Sequence, residues 1–283
     1  MSAKIATIDF HVTSECSQEC PYCWGPQDYE HPVDTGTALR IVSKVKSVGA
    51  RRIVFTGGDP LKRPDVGLLI GRASQVNLEV ALSTTGDQLT GEFLEAIGRH
   101  IDLISLPLDG SSEAVSARTK EAGHFTAVVK ALDLLRTHPD IDVKVCTPVT
   151  RHNLADVPNI LRLVTAYAES TEARVFYNVF QAFPRAMFDV EWGELLVSAG
   201  EFGALRQELG CPADVQVNLL DHATLDRLYM MIFPDGSLVV PTGAEFHSYG
   251  RFLDLADLNE VLDQSRFEWE KHLRHSRGWS KSR

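Results

Sequence analysis

From Ile5 onward the chain alternates short apolar runs with longer stretches whose apolar residues recur every three or four positions. The short runs are Ile5–Val12, Arg52–Thr56, Leu78–Thr84, Ile101–Leu108, Val143–Val149 and Arg174–Phe180. Near-continuous apolar segments of this length suit strands of a sheet covered on both faces. Between them, Thr35–Val48, Pro64–Val76, Leu89–His100, Phe125–Thr137 and Val157–Glu169 carry helical spacing. Strands separated by helices predict a parallel sheet with right-handed crossovers. Six such units are too few to close an eight-stranded barrel. The expected fold is therefore α/β, an open partial (β/α)6 TIM-like barrel over residues 1–185, with 186–283 as a C-terminal extension covering its opening. In that extension Phe233–Thr242 reads as a β-hairpin with an Asp235-Gly236 turn, and a helix is expected towards the end.

Composition narrows the class. The 283 residues are 44% hydrophobic and 23% charged, as in a soluble globular protein. The first residues lack the apolar core of a signal peptide, and no apolar stretch is long enough to span a bilayer. A reducing cytoplasm is the expected compartment. The net charge of −10 argues against duplex nucleic acid as the main partner, because phosphate neutralisation needs clustered Lys and Arg.

The chemistry is expected at the C-terminal ends of the strands, by analogy with complete barrels. After the first strand, Cys16, Cys20 and Cys23 fall within eight residues, separated by three residues and then two. Thiolates are the ligands that iron–sulfur clusters select. A 4Fe–4S cluster normally takes four cysteines, so three would leave one iron open to an outside ligand. A structural zinc site wants four ligands, and only His11 and His31 are near enough in sequence to help. Disulfide pairing has no support from Cys146 and Cys211, which are isolated.

This cysteine spacing, with Tyr22 just before the third cysteine, resembles the signature of the radical S-adenosylmethionine (SAM) superfamily. The resemblance implies one 4Fe–4S cluster whose open iron is chelated by SAM. It also implies reductive cleavage of SAM to a 5′-deoxyadenosyl radical that takes hydrogen from a substrate C–H bond. A reductase such as flavodoxin or ferredoxin is the implied electron donor. Gly57-Gly58-Asp59-Pro60, after strand two, resembles the superfamily's Gly-Gly-Glu-Pro element, which contacts the methionyl amino group, with Asp59 one methylene shorter than the usual Glu. Ser83 and Thr85, after strand three, resemble the Ser/Thr-Asn-Gly turn near the cofactor. Asp109 follows strand four, and Arg118 stands where relatives place a basic partner for the methionyl carboxylate. Tyr22 and Trp24 flank Cys23, which makes Tyr22 the candidate to line the adenine and Trp24 a loop-packing residue.

One motif narrows the family. Lys144, Cys146, Pro148 and Asn153 lie on a stretch similar to the fifth strand and following turn of viperin-like enzymes, where the pattern is Lys-x-Asn-x-Val-x-x-x-x-Asn. Lys144 and Asn153 match, Cys146 replaces the first Asn, and Pro148 replaces the Val. Val179-Phe180-Gln181 matches a Val-Phe-Gln of the sixth strand. Viperin holds a nucleoside triphosphate with basic residues before that tripeptide, and here Phe176 and Asn178 stand in their places. Losing two cationic partners would cost a triphosphate several kcal/mol, at roughly 1.5–3 per charge-assisted hydrogen bond. Arg174 or Arg185 compensates only if the register slips. In the auxiliary-cluster domains of other relatives a cysteine follows the hairpin proline; here Thr242 follows Pro241, so a single cluster is expected.

Cys146 is the candidate catalytic residue, a thiol able to deliver a hydrogen atom to a substrate radical, as S–H bonds are weaker than most C–H bonds. The competing reading is a small buried core residue, since free Cys is among the most buried types. Cys211 is the second candidate thiol. Lys144, Asn178 and Gln181 are the candidate substrate-binding residues. The expected substrate is a small polar metabolite such as a sugar, nucleoside or natural-product intermediate, with epimerisation or another redox-neutral rearrangement favoured. A viperin-like nucleotide dehydratase, a glycyl-radical activase and a non-catalytic iron–sulfur or zinc-binding protein are the alternatives.

Overall fold

The computed structural model describes residues 5–26, 31–185, 190–210 and 212–277. Its strands, in chain order, are β1 (Thr7–His11), β2 (Arg52–Thr56), β3 (Glu79–Ser83), β4 (Leu103–Pro107), β5 (Asp142–Val149), β6 (Val175–Gln181), β7 (Val215–Leu220), β8 (Met231–Ile232), β9 (Ser237–Thr242) and β10 (Glu245–Arg251). The six anticipated strands are β1 to β6, and the fold is α/β with a mostly parallel sheet that does not close. Each anticipated helix is present, at Thr35–Ser47, Val66–Gln75, Gly91–Ile97, His124–Leu135 and Val157–Ala168.

Two compact units divide the chain. One gathers the residues up to Glu15, Gly25–Ser83 and everything from Thr224; the other holds Cys16–Trp24 and Thr84–Ala223. They cut the chain differently from a division at residue 185, because the C-terminal segment returns to the N-terminal strands.

In the first unit β1 pairs in parallel with β2 (Phe10 opposite Phe55), and β2 with β3. On its other edge β1 takes β8, also parallel, with Phe10 opposite Ile232. The hairpin read from Asp235-Gly236 joins β8 to β9, and Gly236 supplies the left-handed φ of 84° at the turn. A third antiparallel strand, β10, extends it. Ile8, Phe10, Ile53 and Phe55 are fully buried. The helix Thr35–Ser47 buries Ala38, Ile41, Val42 and Val45 as one apolar stripe. Asp34 starts that helix by accepting from the Thr37 backbone N–H at 2.9 Å. One buried charge pair is in register across the sheet, Arg52 on β2 with Glu79 on β3 at 2.7 Å.

In the second unit β4, β5, β6 and β7 are parallel neighbours in that order. The added β7 pairs with β6 from Val175–Val215 to Phe180–Leu220. Along β5 the side chains divide by alternation. Val143, Val145, Thr147 and Val149 are fully buried, whereas Cys146 and Pro148 are half-buried. The helix Val157–Ala168 buries Ile160, Leu161, Val164 and Tyr167.

Candidate active site

The cysteine loop follows β1 and contains no regular helix or strand between Val12 and Pro26. Cys16 is exposed, and Cys20 and Cys23 are half-buried. A turn closes the loop's second half, the Cys23 N–H donating to the Cys20 carbonyl at 3.1 Å. The Gln18 N–H points at the Cys16 sulfur at 3.4 Å, and the Lys120 ammonium lies 3.0 Å from the Cys20 sulfur. Burial pushes the Cys20 thiol up to about 11, against the pull of Lys120. Burial also disfavours the Lys120 ammonium, but Asp109, Cys20 and Cys23 outweigh it and hold the amine above its usual range.

The start of the loop is set by the glycine turn after β2. A Cβ on Gly58 would lie 2.2 Å from the Glu15 carbonyl oxygen, and one on Gly57, whose φ is 143°, would lie 2.2 Å from that of Thr13. Only glycine allows this approach. The Gly58 N–H donates to Thr13 at 2.8 Å and the Asp59 N–H to Glu15 at 2.6 Å. Asp59 is buried and its carboxylate caps the turn that begins at Pro60, accepting from the Leu61 N–H at 3.0 Å. Ser83 ends β3, half-buried.

In the second unit the residues predicted after β4 gather around Asp109. This carboxylate is fully buried. The Tyr22 hydroxyl donates to its Oδ2, as does the Thr119 hydroxyl at 2.9 Å, while Oδ1 has no hydrogen-bond partner. Burial raises the Asp109 carboxyl, with Lys120 and Thr119 opposing. Asn153 ties the ends of β4 and β5 together. Its amide donates to the Asp109 and Pro148 carbonyls, both at 3.0 Å, and accepts from the Thr150 N–H at 2.8 Å. Thr85 is buried and donates to Asp87 at 2.5 Å. Arg118 is exposed and donates to the His152 carbonyl at 3.1 Å, so among these residues the cation beside Asp109 is Lys120.

Across the strands, register brings Cys146, Asn178 and Asn218 into one row. Asn218 donates to the Asn178 Oδ1 at 2.9 Å, leaving the fully buried Asn178 Nδ2 without a partner. Cys146 and Ser105 are 3.4 Å apart. Lys144 is buried in the next row, between Ser105 and Phe176. Gln181, at the end of β6, donates to the Val197 carbonyl at 3.3 Å. Arg174 lies at the opposite end of that strand, bound to Asp142 at 2.5 Å. Arg185 is buried, with its guanidinium 3.4 Å over the Trp24 ring. Cys211 lies outside the described residues.

Two basic residues join the site without a signal in the sequence. Arg63 donates to the Val12 and Val33 carbonyls, each at 3.0 Å, and so fastens both ends of the chain that carries the cysteines. Lys120 touches Cys20 across 100 positions of sequence. No local pattern marks either, since both are single basic residues outside any motif.

Among the described residues no three Cys, His, Asp or Glu side chains converge tightly enough to hold a single metal ion. The donor set instead fits an iron–sulfur cluster by its chemistry: three thiols on one loop, with an N–H and an ammonium aimed at two of the sulfurs.

Comparison with known proteins agrees with this donor set. Residues 10–164, more than half of the chain, match the sequence profile of the Radical SAM superfamily. An AdoMet-dependent heme synthase from Methanosarcina barkeri is 26% identical over 187 residues, 64% of this chain and 52% of that protein. The chain thus spans about half the length of that relative. An S-adenosylmethionine-dependent nucleotide dehydratase from Fibrobacter sp. is 23% identical over 305 residues, covering 96% of this chain and 88% of the relative. Among solved structures, Streptococcus suis SuiB superposes with a TM-score of 0.71 at 12% identity, over 92% of this chain and 66% of SuiB.

Proposed function

Because the chain belongs to the radical SAM superfamily, whose members use a 4Fe–4S cluster with S-adenosyl-L-methionine, we propose that it rearranges a small, polyhydroxylated metabolite of the nucleoside or sugar class. Cys16, Cys20 and Cys23 would hold the cluster. Bound together, cluster and SAM supply the hydrogen-abstracting radical; the chain's own side chains supply orientation and exclusion of water.

The observation that carries the substrate class is the row Cys146–Asn178–Asn218. The Asn178 amide is held by Asn218 and presents a buried donor with no partner, which suits a hydroxyl or carbonyl oxygen of a ligand. Beside it Cys146 is half-buried rather than packed away. We assign it the return of a hydrogen atom to the substrate carbon. That step breaks S–H and forms C–H, leaving a thiyl radical that one electron from the reductase and one proton from solvent return to the thiol. Phe176 occupies the next row where a phosphate-binding cation would help, and Arg174 is engaged by Asp142, which favours an uncharged ligand over a triphosphate.

A second reading, a nucleotide dehydratase, is favoured by the similarity to the Fibrobacter enzyme across most of both chains. One assay separates the two. Anaerobically reconstituted protein is given SAM, a reductant and, in turn, cytidine, uridine, free sugars, CTP and UTP, and 5′-deoxyadenosine is measured. Stimulation by the nucleosides or sugars, and not by the triphosphates, is the expected result; stimulation by CTP or UTP alone would overturn it.

A further inference from the structure

The segment that follows Asp109 sends two cations in different directions. Arg118 leaves for the surface and the His152 carbonyl. Lys120 turns inward, its ammonium 3.0 Å from the Cys20 sulfur and 5.6 Å from the centre of the Tyr22 ring. The backbone holds it there. The Lys120 N–H donates to Ser116 at 3.0 Å. On one side the Thr119 hydroxyl is bound to Asp109 at 2.9 Å, and on the other the Glu121 N–H donates to the Gln18 side chain, within the cysteine loop, at 3.0 Å. Lys120 is therefore fixed against the loop from both neighbours rather than swinging freely in solvent.

We propose that Lys120 is a positioning residue for the cluster: a charged hydrogen-bond donor to the Cys20 thiolate that raises the cluster's reduction potential. The inference rests on the reading that Cys20 ligates a 4Fe–4S centre. Reduction adds one negative charge to such a centre, and much of it falls on the sulfurs. A cation 3 Å away, in a half-buried setting where salt screens weakly, stabilises the reduced form more than the oxidised one. An N–H···S bond acts in the same direction. The neighbouring Asp109 opposes the effect in part, so the position of Lys120 between sulfur and carboxylate sets the balance.

The test is a redox titration of the reconstituted holoprotein with dithionite, followed by electron paramagnetic resonance, without SAM. Lys120→Met is expected to lower the midpoint by at least tenfold in the one-electron equilibrium, about 59 mV. Lys120→Arg, which keeps charge and donor, is expected to stay within that range of the wild type. A Lys120→Met cluster with the wild-type midpoint overturns the proposal, as does a Lys120→Met variant changed only in SAM affinity, which would make Lys120 a SAM ligand instead. Should Lys120→Met take up no iron, the wild type decides. Protein labelled with 15N-lysine is expected to show a 15N coupling to the reduced cluster that Lys120→Arg lacks, and its absence overturns the proposal. Wild-type protein that binds no 4Fe–4S cluster would sink the ligand reading itself, a result distinct from a loaded cluster with an unmoved potential.

Discussion

Cys146 is half-buried on a strand whose alternate residues Val143, Val145, Thr147 and Val149 are sealed under the fold. A thiol kept at that exposure, beside an unpartnered amide donor, is what the proposed hydrogen return requires. Cys146→Ala is expected to leave 5′-deoxyadenosine formation in place and to abolish solvent deuterium in the product; deuterium uptake by the variant would remove the thiol from the mechanism. The cluster cysteines behave differently. Replacing Cys16, Cys20 or Cys23 singly with Ala should reduce bound iron severely, measured after anaerobic reconstitution, because the proposed centre takes all three thiols. These three residues were legible in the sequence since their spacing is local and chemical. Lys120 was not, for its relation to Cys20 exists only once strand β4 and the turn after it have folded. Arg118 shows the same limit from the other side. Its place after β4 made it a candidate ligand contact, and no residue near it in sequence announces its bond to the His152 carbonyl.

Among the elements, the glycine turn after β2 is the most exacting. Its backbone N–H groups hold Thr13 and Glu15, so its tolerance for side chains is set by the distance to those carbonyls. Gly58→Ala places a methyl 2.2 Å from the Glu15 oxygen, and either the turn or the cysteine loop must move. A loss of about 3 kcal/mol is expected from such overpacking, together with reduced iron loading, and denaturant unfolding with iron analysis checks both. By contrast Asp34→Ala removes only a helix cap, and about 1 kcal/mol is expected. The strands β1 to β6 were readable because burial on both faces leaves an apolar run in the sequence. β7 was not, since Gln216 is exposed and Asn218 is half-buried, which breaks the run. β8 has two residues and is a strand only through its pairing with β1 and β9. β10 is polar and largely exposed, as suits an edge strand, and nothing in its composition announces a sheet.

At the scale of the molecule, acid is expected to loosen the fold through buried neutral histidines. His272 lies in the C-terminal helix Trp269–Arg277, and its Nε2 accepts from the Ala6 and Thr7 N–H groups at 3.1 and 3.3 Å. Its Nδ1 faces the Leu228 carbonyl at 2.8 Å, so the proton sits there and Nε2 must stay bare. Burial lowers its pKa to about 4, and lowers those of His11 and His124 to about 3 and about 4. The unfolded chain binds these protons near pH 6.5 and the folded one does not. Stability is thus full above pH 6.5 and is lost as pH falls towards 4, by about 3 kcal/mol for His272 alone. Melting temperatures measured across that window should fall, and His272→Gln should melt lower at neutral pH with a flatter dependence. Iron removal is expected to act locally. Between Val12 and Pro26 there is no regular helix or strand, so chelation should expose cleavage after Glu15 and Glu19 to a glutamate-specific protease while the far-ultraviolet circular dichroism of the strands persists.

Arg63 gives that local response its boundary. One guanidinium holds the carbonyls of both Val12 and Val33, so the chain between those two positions is a loop closed at its ends. The entropy released when such a ring relaxes grows only with the logarithm of its circumference. Lengthening it by a residue or two would therefore cost little. Untying the knot is the costlier act, because it strips two carbonyls of a buried, charged donor.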